Sequence, residues 1–160
     1  MAVDPLTLAY TAGLFDGEGS IVIGCAHPTR AGGRKGTRYW LQVGITNTDR
    51  ELVDWLLATY GGHISDNAKS KSRETCQPCW AWRVMSRQAR IFLQDIAPYL
   101  RSKKTQAMIA VEFQDVLTRH SPSRTGYDAV ALALRESYRQ RLRELTNGSQ
   151  RKRRATRASM

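Results

Sequence analysis

Apolar side chains at helical spacing run from Leu6 to Phe15 and stop against Gly17 and Gly19, which predicts a helix ended by glycine, with Pro5 suited to its first turn. Two segments rich in β-branched and aromatic residues come next, SIVIGCA from Ser20 and YWLQVGIT from Tyr39. They are joined by a glycine-rich basic stretch and predict a hairpin. Leu52, Val53, Leu56 and Leu57 then recur every three to four residues between a capping Thr48 or Asp49 and the stop signal Gly61-Gly62, predicting a helix through about Tyr60. A second hairpin is expected from His63 to Asp66 and from Trp80 to Met85, separated by the polar connection NAKSKSRETCQP. Arg87 to Ile96, Lys103 to Leu117 and Tyr127 to Leu145 read as amphipathic helices, the first two separated at Pro98.

A helix–strand–strand unit thus occurs twice in the first hundred residues, without a matching sequence repeat. The expected class is α+β: a four-stranded antiparallel sheet with helices on one face and the other face free. In the second strand Leu41, Val43 and Ile45 share one face, the core face, which leaves Arg38, Trp40, Gln42 and Gly44 outward. The first strand is undecided, since Ile21 and Ile23 oppose Val22 and Gly24. The fourth sets Trp80, Trp82 and Val84 against Ala81, Arg83 and Met85; Trp82 is expected inside and Arg83 outside.

The 160 residues suit one domain over 1–145, with a core at 7–117 and a C-terminal helix at about 127–145, ahead of a basic, disordered tail at 146–160. Lys and Arg number 25 against 14 Asp and Glu, a net charge of +11, which points to a polyanionic partner. The excess is uneven: residues 119–160 hold 11 basic and 3 acidic residues, residues 1–118 hold 14 and 11. Arg30, Arg34, Lys35 and Arg38 form a cluster in the first hairpin connection, and Lys69, Lys71 and Arg73 lie in the second; both are candidates for phosphate contacts. No apolar run is long enough for a bilayer, no membrane partner is expected, and no secretion signal opens the sequence. With three cysteines in no framework spacing, the expected location is a reducing compartment inside the cell. Cys76-x-x-Cys79 together with Cys25 and His27 has the composition of a four-ligand Zn²⁺ site, but such spacing is a weak signal and free thiols are the preferred reading.

In the segment TAGLFDGEGS, Ala9, Ala12, Gly13, Asp16 and Gly17 put small side chains on one helical face, so two backbones can approach closely. One carboxylate at the end of each of two such helices would place two acids together beside backbone carbonyls, an oxygen-only environment of the kind that holds Mg²⁺. Two metals there can activate water and stabilise the leaving oxygen of a phosphodiester.

This segment resembles the LAGLIDADG signature of homing endonucleases and related intron maturases across Gly13, Leu14, Asp16, Gly17 and Gly19, with Glu18 standing at the second aspartate of the family pattern. The resemblance continues in order through Ile45-Thr46-Asn47-Thr48-Asp49, Tyr60-Gly61-Gly62 and Pro98-Tyr99-Leu100-Arg101-Ser102-Lys103, covering residues 7 to about 115. It implies an αββαββα fold in which a saddle of strands binds DNA and signature helices pair two units. Because this sequence has a single signature, it implies a homodimer reading a near-palindromic site. It further implies that Glu18 is a ligand for Mg²⁺ or Mn²⁺, joined by the Gly17 carbonyl. Asn47 would position metal-bound water and Lys103 would stand near the scissile phosphate, while Arg50 adds to the polar pocket. Ala9, Ala12, Gly13 and Asp16 would lie in the dimer interface, and Asp16 is read as capping or stabilising the helix junction in preference to binding metal. Base contacts would come from Arg38, Trp40, Gln42, Gly44 and Arg83. Double-strand cleavage by an intron-encoded enzyme is the leading expectation. Intron RNA as the partner of a maturase, and an inactive DNA-binding protein on the same fold, stay open.

Overall fold

The computed structural model describes residues 3–27, 36–66, 78–119 and 128–158, the last ten by backbone alone. Arg30, Arg34, Lys35, Lys69, Lys71, Arg73 and Cys76 lie outside the described residues. Within the described residues the chain order is α1 (Pro5–Glu18), β1 (Gly19–Ala26), β2 (Arg38–Asn47), α2 (Arg50–Tyr60), β3 (His63–Asp66), β4 (Trp80–Met85), α3 (Ser86–Ile96), α4 (Lys104–Arg119) and α5 (Ala129–Ala158). The strands form one antiparallel sheet in the order β1-β2-β4-β3.

Local chemistry explains where the first elements begin. The Asp4 carboxylate accepts from the N–H groups of Leu6 and Thr7 at 3.0 and 3.1 Å, satisfying two of the orphan donors that every helix start exposes. Asp49 does the same for α2, accepting from Glu51 and Leu52 at 3.0 and 3.2 Å. That helix ends on Gly61 at φ 69° and Gly62 at φ 94°, both in the left-handed region that a side chain disfavours.

The sheet register sorts the strand residues into two faces. Ile21 and Ile23 pair with Val43 and Leu41, Ile45 pairs with Trp82, and Val43 with Val84, so these build the covered face. Helices supply the other half of the core through Ala12, Phe15, Val53, Leu56, Phe92, Leu93, Ile96 and Phe113. At its centre Phe92 meets Phe15, Tyr60 and Trp82 with ring centroids 5.5, 5.0 and 5.1 Å apart, in edge-on packing that suits aromatic quadrupoles. The Trp82 indole N–H donates to the Gly61 carbonyl at 2.7 Å, so its one polar atom is paired despite full burial.

Helix α1 runs to Glu18 and is ended by glycine as the sequence predicts: Gly19 closes it from an extended conformation with its N–H bonded to Phe15 O. One boundary differs from expectation. Helix α5 continues to Ala158, through the stretch expected to be disordered. Buried Leu142 anchors it, the Thr146 hydroxyl donates to Leu142 O at 2.9 Å, and no proline interrupts the helix between there and Ala158.

A Cβ placed at Gly62 would lie 2.4 Å from Arg83 O, a contact with backbone that cannot step aside. Gly62→Ala is therefore expected to cost about 1–3 kcal/mol, from the positive φ and this clash together. A urea midpoint that does not fall would contradict the account of this turn.

Candidate functional site

The last turn of α1 faces the 101–103 segment that leads into α4, and the two are joined by a reciprocal exchange. The Asp16 carboxylate accepts from the backbone N–H groups of Arg101, Ser102 and Lys103 at 2.7, 3.2 and 3.0 Å and from the Ser102 hydroxyl at 3.0 Å. In return the Lys103 ammonium donates to the carbonyls of Phe15 and Asp16 at 3.0 and 2.5 Å. An anion thus meets the donors just ahead of α4, and a cation meets the acceptors at the end of α1, which are the favourable signs at those helix termini. Burial pushes the Asp16 carboxyl up, but the three N–H donors and the hydroxyl outweigh it and hold the group below its ordinary 3.8.

Glu18 lies half a helical turn beyond Asp16, exposed at the point where α1 passes into β1. Its carboxylate accepts from Asn47 Nδ2 at 2.5 Å. Asn47 ends β2, and its Oδ1 accepts from the Asp49 N–H at 2.8 Å, so the amide is oriented by the turn into α2 while its donor end points at Glu18. Glu18, Asn47 and Lys103 are therefore assembled around one helix end from segments far apart in the chain. Arg50 is not part of this group: its Nε pairs with Asp54 at 2.9 Å, one turn on, and its guanidinium lies 5.7 Å over the Trp80 ring. The ion pair is half-exposed and of a kind worth little.

The expected interface helix face is divided. Ala9 and Gly13 are exposed, and an added Cβ would meet nothing within 4 Å at Gly13 or Gly17. Ala12 is fully buried in the chain's own core, and Asp16 is taken up by the 101–103 turn, so neither side chain lies on the outer stripe. That stripe is instead Leu6, Ala9, Tyr10, Gly13 and Gly17, with Leu6 83% exposed.

On the open face of the sheet the register places Ser20, Val22, Gly24 and Ala26 beside Gly44, Gln42, Trp40 and Arg38, with Arg83 and Met85 opposite Gly44 and Gln42. Arg38 is exposed. Trp40 lies across Gly24: an added Cβ there would come within 2.2 Å of the indole, so glycine makes the seat for the ring. Arg83 faces outward and donates to Ser65 Oγ at 2.7 Å. Gly44, although on this face, is buried; a Cβ would stand 2.8 Å from the backbone Trp82 O and 3.2 Å from Arg83 Cγ. It makes room for the neighbouring strand and the stem of the arginine, and offers no side chain. Val22 and Met85 also belong to this face and escape a reading by pattern, because consecutive apolar residues in β1 and β4 hide the two-residue period; Ser65 joins them from β3, opposite Ala81.

Cys25 Sγ stands 3.9 Å from His27 Nε2, and Cys79 is a free thiol. Among the described residues no group of three or more His, Cys, Asp or Glu is placed to hold a metal, and no helix is long and apolar enough to cross a membrane.

No protein-family model matches the chain, nor does any curated protein. Solved structures do. Homing endonuclease I-CvuI, in complex with DNA, is similar over 88% of this chain and 82% of its own, with 17% identity and a TM-score of 0.67. The archaeal intron-encoded homing endonuclease I-Vdi141I, also complexed with DNA, is 19% identical with the same TM-score, covering 88% and 84%. Homing endonuclease I-TnaI is 14% identical at a TM-score of 0.60, over 92% of this chain and 99% of its own. LAGLIDADG homing endonuclease I-GzeII is matched over 86% of this chain but only 44% of its own. The chain has the LAGLIDADG homing endonuclease fold, at the size of the single-motif proteins.

The Asp16 exchange and the Trp40 seat each have a measurable consequence. Asp16→Ala is expected to cost about 1 kcal/mol at pH 7, as loss of a helix cap does. A carboxyl held below 3.8 stabilises the fold above that pH and loses its contribution as pH falls through the lowered value, so the gap between parent and variant should close below about pH 3.8. A gap independent of pH would contradict this. Gly24→Ala must displace the Trp40 indole and should cost about 1–3 kcal/mol as an overpacking change, with altered tryptophan fluorescence; unchanged stability and emission would refute the seat.

Proposed function

We propose that the chain is a site-specific DNA endonuclease that acts as a homodimer and requires a divalent metal ion. The observation that carries this reading is the convergence of Glu18, Asn47 and Lys103 on the end of α1. A protein that only binds nucleic acid has no need of an exposed carboxylate held there beside an amide and an ammonium.

Among its described residues one chain offers this site a single exposed carboxylate, Glu18, and neighbouring carbonyl oxygens, all hard oxygen donors, which suits Mg²⁺ or Mn²⁺ and is too few for a complete site. The outer stripe of α1 supplies the rest of the argument. Leu6 and Tyr10, 83% and 56% exposed, continue into Gly13 and Gly17, an apolar and sterically open track where a second α1 can approach to backbone distance. A twofold pairing along it brings two Glu18 carboxylates to one place. Metal bound there would activate water and stabilise the leaving oxygen of the phosphodiester.

The protein's own side chains have distinct parts. Glu18 with the Gly17 carbonyl holds metal, Asn47 orients the carboxylate and nearby water, and Lys103 offers positive charge to the scissile phosphate. To reach that phosphate, Lys103 exchanges a carbonyl of α1 for a phosphate oxygen at short range. Arg38, Trp40, Gln42 and Arg83 face the major groove from the open sheet face, and arginine and glutamine there pair with guanine and adenine edges. The same fold carries DNA in the solved complexes of I-CvuI and I-Vdi141I.

The test is cleavage of a randomised duplex library with and without Mg²⁺. The parent should cut within a near-palindrome only when metal is present, and Glu18→Gln should lower the rate at least a hundredfold while leaving site selectivity intact. Selective binding without cutting by the parent would remove the enzyme reading, and binding confined to RNA would transfer the site to intron RNA.

A further inference from the structure

The open sheet face is polar or small along most of its rows; Trp40 lies seated across Gly24, and one further row is apolar at both ends. Val22, Gln42 and Met85 are cross-strand neighbours in a single row, and both flanking side chains are large, apolar and well exposed, Val22 at 44% and Met85 at 41%. Strands lie about 4.8 Å apart, so the row extends roughly 10 Å, or about three base-pair steps. The order is apolar, amide, apolar.

Only one apolar group appears on base-pair edges in the major groove, the C5 methyl of thymine. The amide of Gln42 matches the N6 and N7 atoms of adenine. A G·C pair set against Val22 or Met85 presents no methyl group, so it forgoes the apolar contact that an A·T pair offers at the flanking steps. We infer that this row reads a short A·T segment in each half-site, with Gln42 on adenine and with Val22 and Met85 on the methyl groups of thymines to either side. The inference rests on the reading that the open sheet face meets duplex DNA, and it assigns Val22 and Met85 as specificity-determining residues.

Position along the sheet supports a reading role. The row lies beside that of Ser20, Gly44 and Arg83, central in β1 and β2 and at the end of β4, where Met85 passes into α3, and not at a hairpin tip. Gln42 is half-buried between its neighbours, so its amide has fewer rotamers to lose on binding than a side chain at an open edge.

The experiment uses the full chain carrying Glu18→Gln, so that binding is measured without cutting. A preferred site is first selected from randomised duplexes at fixed salt, and each thymine in its A·T segment is then replaced by deoxyuridine, which removes the methyl and nothing else. The expected loss is about fourfold per methyl, the worth of one buried carbon. Adding Val22→Ser should abolish the thymine–uracil difference at one step and Met85→Gln at another, with circular dichroism unchanged. Equal affinity for thymine and uracil duplexes, or a selected site with G·C pairs at both flanking steps, would overturn the inference while leaving DNA recognition standing. Binding without any sequence preference would overturn both.

Discussion

The end of α1 is held by an exchange of caps with a segment more than eighty residues away. Asp16 receives the N–H groups of 101–103, and Lys103 gives its ammonium to the carbonyls of Phe15 and Asp16. The pattern has the reciprocity of a capping box, in which two residues satisfy each other's orphan groups, but it links two helices instead of one. Because Glu18 is two residues past Asp16, this exchange fixes the origin from which the exposed carboxylate projects. The aromatic cluster of Phe15, Tyr60, Trp82 and Phe92 locks the same helix turn from the core side. Asn47 then reaches the carboxylate from β2, so the sheet and the helix layer both determine where it stands.

Such a clamp uses the groups it positions. Lys103 stabilises the end of α1 from which the exposed acid projects, and the Asp16 carboxylate is committed to the 101–103 turn. The open sheet face depends on glycine in a similar way: Gly24 seats Trp40, and Gly44 admits the β4 backbone at Trp82 O with the stem of Arg83 beside it. Rigid placement of this kind limits the entropy lost when a surface meets an ordered ligand.

Much of this is legible in the sequence. Apolar periodicity locates each helix and strand from α1 to α5, and Leu41, Val43 and Ile45 orient β2 correctly because its alternation is clean. Where alternation fails, so does the pattern: Ile21, Val22 and Ile23 are consecutive, and only pairing with β2 decides which of them points out. Helix α1 is apolar almost all round, so periodicity does not separate its buried side from its exposed one, and the small-residue stripe includes Ala12, which is buried in the chain's own core. The order of motifs brings Glu18, Asn47 and Lys103 into view. It draws Arg50 into that group as well, although Asp54, one turn along the same helix, is the partner local geometry favours. The length of α5 is hidden by a composition in which basic residues outnumber the apolar ones that anchor it.

On the proposed reading, a single chain with one exposed carboxylate at a helix end contributes half of a cleavage site, which a second copy would complete. Native mass spectrometry of the protein on its selected duplex, with Mg²⁺ and the Glu18→Gln chain to prevent turnover, measures that directly. Two chains per duplex are predicted, reduced to one or none when Gly13→Leu blocks the open stripe of α1. One chain per duplex, with the parent still making a double-strand break at that stoichiometry, would contradict the pairing.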